Sequence, residues 1–145
     1  MAVTADEVAT LRAYLSGDFD LHERLYERLD KTSVRTGYMA LVAAGFFEAV
    51  DRRFAANGTT ADVIDFVADL RARSEQLSEA VDPTVAERLI RHSLGNGSIA
   101  DLDDGTVAGT QFLLLAGLVA DEHYDEAGLD AFMAEVRKLA DRWTS

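Results

Sequence analysis

Apolar residues recur every three or four positions along almost the whole chain, and no stretch alternates with period two, so the pattern predicts helices throughout. Two runs depart from simple amphipathicity. From Tyr38 to Val50 the only charged residue is Glu48, and apolar side chains fall on every side of a helical wheel. Val107 to Ala120 carries no charge at all. A helix that is apolar all round is a buried one. The two runs therefore predict central helices over 37–56 and 106–121, wrapped by half-apolar neighbours. The expected fold is all-α: a single-domain bundle of six or seven helices spanning 1–145.

The surrounding elements have recognisable starts and stops. Thr4 and Glu7 have the spacing of a capping box, with Val8, Leu11 and Leu15 as the inner face of the first helix and Ser16-Gly17 as its end. Asp18 caps a second helix with Phe19, His22, Leu25, Tyr26 and Leu29 on one stripe. Lys31 to Thr36 reads as a polar connection, and Asn57-Gly58 as the stop of the first central helix. Thr59 or Thr60 caps a helix whose stripe is Val63, Phe66, Val67 and Leu70, and Ser74 to Ala80 continues it with a bend. Asp82-Pro83 starts the next helix, since proline suits the first helical position. Its inward residues are Val85, Ala86, Leu89, Ile90 and Leu94, and Gly95-Asn96-Gly97 ends it. Thr106 is the expected cap of the second central helix. The last helix runs from about Ala127 to Trp143, with Leu129, Phe132, Met133, Val136, Leu139 and Trp143 on one stripe.

The two central runs end alike, and so do the helices that follow them. Ala49-Val50-Asp51-Arg52-Arg53-Phe54 aligns with Val119-Ala120-Asp121-Glu122-His123-Tyr124, and Phe66-Val67-Ala68-Asp69-Leu70-Arg71 with Phe132-Met133-Ala134-Glu135-Val136-Arg137. This reads as an internal two-fold repeat of a buried helix, a turn and an amphipathic helix. The competing reading is that such helix pairs resemble one another by composition alone. Gly45 and Gly117 lie inside the runs, where glycine costs about 1 kcal/mol relative to alanine. Close approach of two helix backbones is the favoured compensation, and a small apolar pocket beside either glycine is the rival.

Composition narrows the function. The formal charge of −12 disfavours phosphate backbones and anionic membrane surfaces, so neither a nucleic acid nor a membrane is an expected partner. No cysteine is present, which removes disulfides, thiolate nucleophiles and thiolate metal sites. The apolar runs fall short of the roughly 20 residues a membrane span needs. The opening residues lack the basic and apolar regions of a secretory signal, and the expected compartment is the cytoplasm.

Signatures of catalysis are missing. His22-Glu23 begins like a zinc-protease helix, but Tyr26 stands where the second histidine belongs. Asp101-Leu102-Asp103-Asp104-Gly105 opens like a calcium loop, yet its glycine comes one place early and Phe112 replaces the closing glutamate. No phosphate loop, dinucleotide fingerprint or nucleophile elbow occurs. The unusual feature is charge asymmetry: no Lys or Arg lies between Arg91 and Arg137, a stretch rich in Asp and Glu. Within it Asp101, Asp103, Asp104, Asp121, Glu122 and His123 are the candidates for contact with a partner or a cation. They flank one helix and are expected at its opposite ends, so a solvated acidic surface is the plainer account. The expected function is a non-catalytic interaction or regulatory module, able to self-associate or bind a protein partner and needing no cofactor. The alternatives are a small-molecule binder with an apolar pocket between the central helices, and a metal-assisted enzyme using Asp121, Glu122 and His123.

Overall fold

The computed structural model describes residues 3–56 and 58–144. These form helices α1 (Ala5–Leu15), α2 (Phe19–Arg28), α3 (Lys31–Ser33), a π-helical turn (Val34–Tyr38), α4 (Met39–Phe54), α5 (Thr60–Ala72), α6 (Glu75–Ala80), α7 (Pro83–Ser93), α8 (Asp104–Glu122) and α9 (Glu126–Thr144). No strand occurs among the described residues. No helix among them is long and apolar enough to cross a membrane.

Contacts divide these helices into two compact units, one of residues 1–48 with 119–145 and one of residues 49–118. Both α4 and α8 pass from one unit into the other.

In the first unit, Thr4 and Glu7 form the expected capping box. The buried face of α1 is not the expected one. Glu7, Thr10, Leu11 and Ala13 are buried, whereas Val8 and Leu15 are only half-buried. Two polar groups thus lie on the inner face, and both are satisfied. Thr10 donates to the Asp6 carbonyl at 2.7 Å. The Glu7 carboxylate accepts from the Thr4 backbone N–H at 2.8 Å and from the Ser33 hydroxyl.

The segment expected as a polar connection is helical. Asp30 accepts from the Ser33 N–H at 2.6 Å as an N-cap, and Thr36 bonds back to the Thr32 carbonyl at 2.7 Å. The Asp30 cap lets a polar sequence begin a helix that runs through the π-turn into α4. The helix count therefore exceeds the expected six or seven. Residue 3 is tied to α9, its N–H to Asp141 at 2.7 Å and its carbonyl to Arg137 at 3.1 Å. In α9, Leu129, Phe132, Met133, Val136 and Ala140 are buried. Trp143 departs from the expected stripe: it is exposed and meets Phe47 edge-on at 5.9 Å.

In the second unit, α5 buries Val63, Phe66, Val67 and Leu70, the expected stripe, behind a capping box of Thr59 and Asp62. Ser74 caps α6 as a separate helix. Arg71 clamps the end of α6, donating to the Val81 carbonyl at 2.8 Å and the Ser78 carbonyl at 2.9 Å. Pro83 starts α7, which buries Ala86, Leu89 and Ile90. Gly95 and Gly97 take positive φ after it, as a helix stop requires. The expected stop at Asn57-Gly58 involves Asn57, outside the described residues. The cap of α8 is Asp103 and not Thr106: its carboxylate accepts from both the N–H and the hydroxyl of Thr106.

Along α4, Leu41, Val42, Ala44, Phe46, Ala49, Val50 and Phe54 are buried; along α8, Leu114, Leu115, Leu118 and Val119 are. Each helix also keeps a more open flank, at Phe47 in α4 and at Gly109 and Ala120 in α8. A Cβ on Gly117 would lie 2.7 Å from Leu70 Cδ1. The space at that glycine is filled by an α5 side chain, which accounts for its cost in the helix.

Candidate functional site

Two helical corners of the first unit enclose a cleft of about 760 Å³. The first corner joins α1 to α2. Gly17, at φ +84°, makes the turn, the Asp18 N–H returns to the Ala13 carbonyl at 3.0 Å, and the Asp18 carboxylate caps α2 through the Leu21 N–H at 3.1 Å. The second corner joins α8 to α9. His123 leaves the helix in the left-handed region, at φ 53°, and Asp125 caps α9 through the Gly128 N–H at 2.7 Å. Histidine is several-fold enriched among non-glycine residues in that region.

Apolar groups line the cleft from both corners, among them Ala13, Leu21, Leu25, Val119 and Leu129. Its charged lining comprises Arg12, Asp18, Asp125 and Glu126, and Arg12 is drawn to Asp130 at 2.6 Å. The carboxylates outnumber the cation. Tyr124 also lines the cleft, and its ring stacks on the buried Phe132 at 5.7 Å.

The helix forming one wall is unusual. The expected stripe of α2 holds only in part: Phe19 and Tyr26 are exposed, Leu21 joins the inner side, and no residue of the helix is fully buried. Leu21, His22, Leu25 and Leu29 are half-buried, and Phe19 is 63% exposed. Its other flank meets an aromatic cluster. His22 Nε2 lies 3.0 Å from the Tyr38 hydroxyl, and the His22 ring is 5.2 Å from Tyr14 and 5.7 Å from Tyr26.

Burial pushes the Tyr14 phenol up to about 12 and raises Tyr38 as well. Desolvation lowers the His22 imidazole below 6.5, against a smaller opposing pull from Glu23. These phenols are poor proton donors at neutral pH, and the cluster is suited to packing rather than proton transfer. For His22 the sign follows from linkage: the fold favours the neutral ring, so its contribution is complete above 6.5 and is lost as pH falls from 6.5 through the lowered native value. His22→Gln is therefore expected to flatten the acid limb of a stability–pH curve in that window, read by urea titration. An unchanged limb would refute the assignment.

The six residues singled out by the sequence divide between the units, Asp101, Asp103 and Asp104 in the second and Asp121, Glu122 and His123 in the first. Asp101 is held by Arg88, at 2.5 Å and 3.0 Å, and that bond keeps its carboxyl below the usual range. Asp103 is lowered by its bonds to Thr106, and Asp104 begins α8. Asp121 and Glu122 close α8. His123 alone of the six lines the cleft. Among the described residues, no group of three or more His, Asp or Glu side chains is arranged to hold a metal ion. The cleft residues Leu25 and Leu129 were legible only as core positions, because the same residue types at the same spacing serve packing and lining alike, and Leu21 was not singled out. Glu7 carried a clue: it stands four residues before Leu11, and hence on its face. Compared with models of protein families, with curated proteins and with solved structures, the chain matches none.

Proposed function

We propose that this protein is a non-catalytic interaction module of the cytoplasm whose binding face is the cleft beside α2. One observation carries the reading: an amphipathic helix with an apolar stripe buries none of its residues fully, although burial of that stripe is what normally stabilises such a helix. A partner covering Leu21 and Leu25 would supply the missing burial. The test is photo-crosslinking in the producing cell from a benzophenone side chain placed at Leu25, with the exposed Glu79 of α6 as control. A discrete protein adduct specific to the Leu25 position is expected. No adduct from Leu25 or Leu21 would defeat the reading.

The same proposal takes α4 and α8 as the central helices of one domain with an internal two-fold repeat. Burial supports the repeat. Val63, Phe66, Val67 and Leu70 of α5 align with Leu129, Phe132, Met133 and Val136 of α9, and every member of both sets is buried. The aligned positions also bring rings together in both copies, Phe54 edge-on to Phe66 at 6.0 Å and Tyr124 stacked on Phe132 at 5.7 Å. The two pairs share their positions but not their geometry.

A further inference from the structure

We infer that the occupant of the α1–α2/α8–α9 cleft is a basic amphipathic helix of a protein partner, its apolar face on Leu21 and Leu25, above the buried Leu129, and its Lys or Arg residues at the carboxylates of the rim. The inference rests on the interaction reading above and names the partner's chemistry. Three features of the cleft select it.

The first is charge. Asp18, Asp125 and Glu126 line the cleft, and the lining cation, Arg12, is engaged by Asp130. Around them the chain from Val119 to Glu135 carries Asp121, Glu122, Asp125, Glu126, Asp130 and Glu135 with no Lys or Arg. Such a rim attracts a cationic segment and repels an acidic one. A second copy of this chain, at −12, is a poor candidate on that ground.

The second is shape. Small-molecule pockets commonly bury some 70–90% of their ligand, whereas this cleft is open to solvent and lined by polar as well as apolar groups. An open cleft of mixed lining suits the helix-in-groove mode, in which residues at i, i+3, i+4 and i+7 are seated and the remainder stays in water.

The third is rigidity. Both corners are fixed by capping carboxylates, and both caps, Asp18 and Asp125, are themselves rim residues. The capping bonds hold those charges at the mouth of the trough before anything binds, which limits the ordering cost of association.

The test uses the full chain and a synthetic peptide of about 14 residues, with leucine at i, i+3, i+4 and i+7 and lysine elsewhere, beside a twin in which glutamate replaces lysine. The lysine peptide should bind and shift the methyl signals of Leu21, Leu25 and Leu129, and the glutamate twin should not. Leu25→Glu should weaken binding about tenfold or more, although it adds a negative charge that attraction by charge alone would reward. Leu21→Glu serves as a second variant, and both positions are half-buried, so the circular dichroism of each should stay that of the parent. The triple change Asp18→Asn, Asp125→Asn, Glu126→Gln, which keeps capping oxygens, should weaken binding severalfold and reduce its salt dependence. Equal binding of both peptides, undiminished binding to Leu25→Glu, or no binding of the lysine peptide would each overturn the inference. A specific Leu25 adduct alongside a failed lysine peptide would leave the interaction reading standing and reject only the occupant.

Discussion

Phe132→Ala is expected to lower stability by about 3–5 kcal/mol, the range for removing a fully buried aromatic side chain. Phe132 has no exposed surface and supports the Tyr124 ring beside the cleft. The loss combines missing apolar burial with a cavity that the turn at Tyr124 cannot close without giving up its stacking. In a chain of this size each kcal/mol moves Tm by roughly 2–4 °C, so the midpoint should fall by about 6–20 °C. Phe66→Ala removes the aligned ring, 3% exposed and edge-on to Phe54, and should cost a similar amount. A loss below about 1 kcal/mol for Phe132→Ala, measured by urea titration, would mean that α9 is not packed as described. A large loss for one ring and a negligible one for the other would weigh against the repeat.

Gly37→Ala should destabilise, against the direction of helix propensity. Alanine is favoured over glycine in a helix by about 1 kcal/mol, and propensity alone would predict a gain. In the π-turn, however, a Cβ at position 37 would occupy the space of the Glu7 carboxylate. Glu7 is 3% exposed and accepts from the Thr4 N–H and the Ser33 hydroxyl. Hydrogen bonds to charged groups contribute about 1.5–3 kcal/mol each. Displacing the carboxylate from both outweighs the propensity gain, and a net loss of about 2–4 kcal/mol follows. A double-mutant cycle checks the cause. In a Glu7→Ala background Gly37→Ala should be neutral or stabilising. Equal effects in the two backgrounds would remove Glu7 from the explanation.

This pair illustrates where sequence reasoning succeeds and where it stops. Caps are local, so Thr4 and Asp18 were legible, the cap of α5 was narrowed to Thr59 or Thr60, and the start of α7 was placed at Asp82-Pro83; Thr59 and Asp82 prove to be the caps there. The stripe of α5 was legible because every one of its apolar residues is buried. Glu7 was read only as the partner of Thr4 in a capping box, whereas its carboxylate serves the cap and the interior together. The segment 31–36 was misread because its helix is begun by the Asp30 cap, not marked by an apolar period. At the start of α8 the expected cap was Thr106, whereas the carboxylate of Asp103, three residues earlier, takes that place. The cleft was not legible at all. Leu25 has the spacing of a core residue, and only the arrangement of its neighbours leaves it half-covered.

The first unit is assembled from two separate segments, residues 1–48 and 119–145, with the stretch 49–118 intervening in sequence. The α1–α2 corner is therefore synthesised well before the α8–α9 corner, and the cleft exists only once both have been made. On the proposed reading, a fragment that ends before residue 119 would present α2 without the trough, and a partner requiring both walls would pass it by.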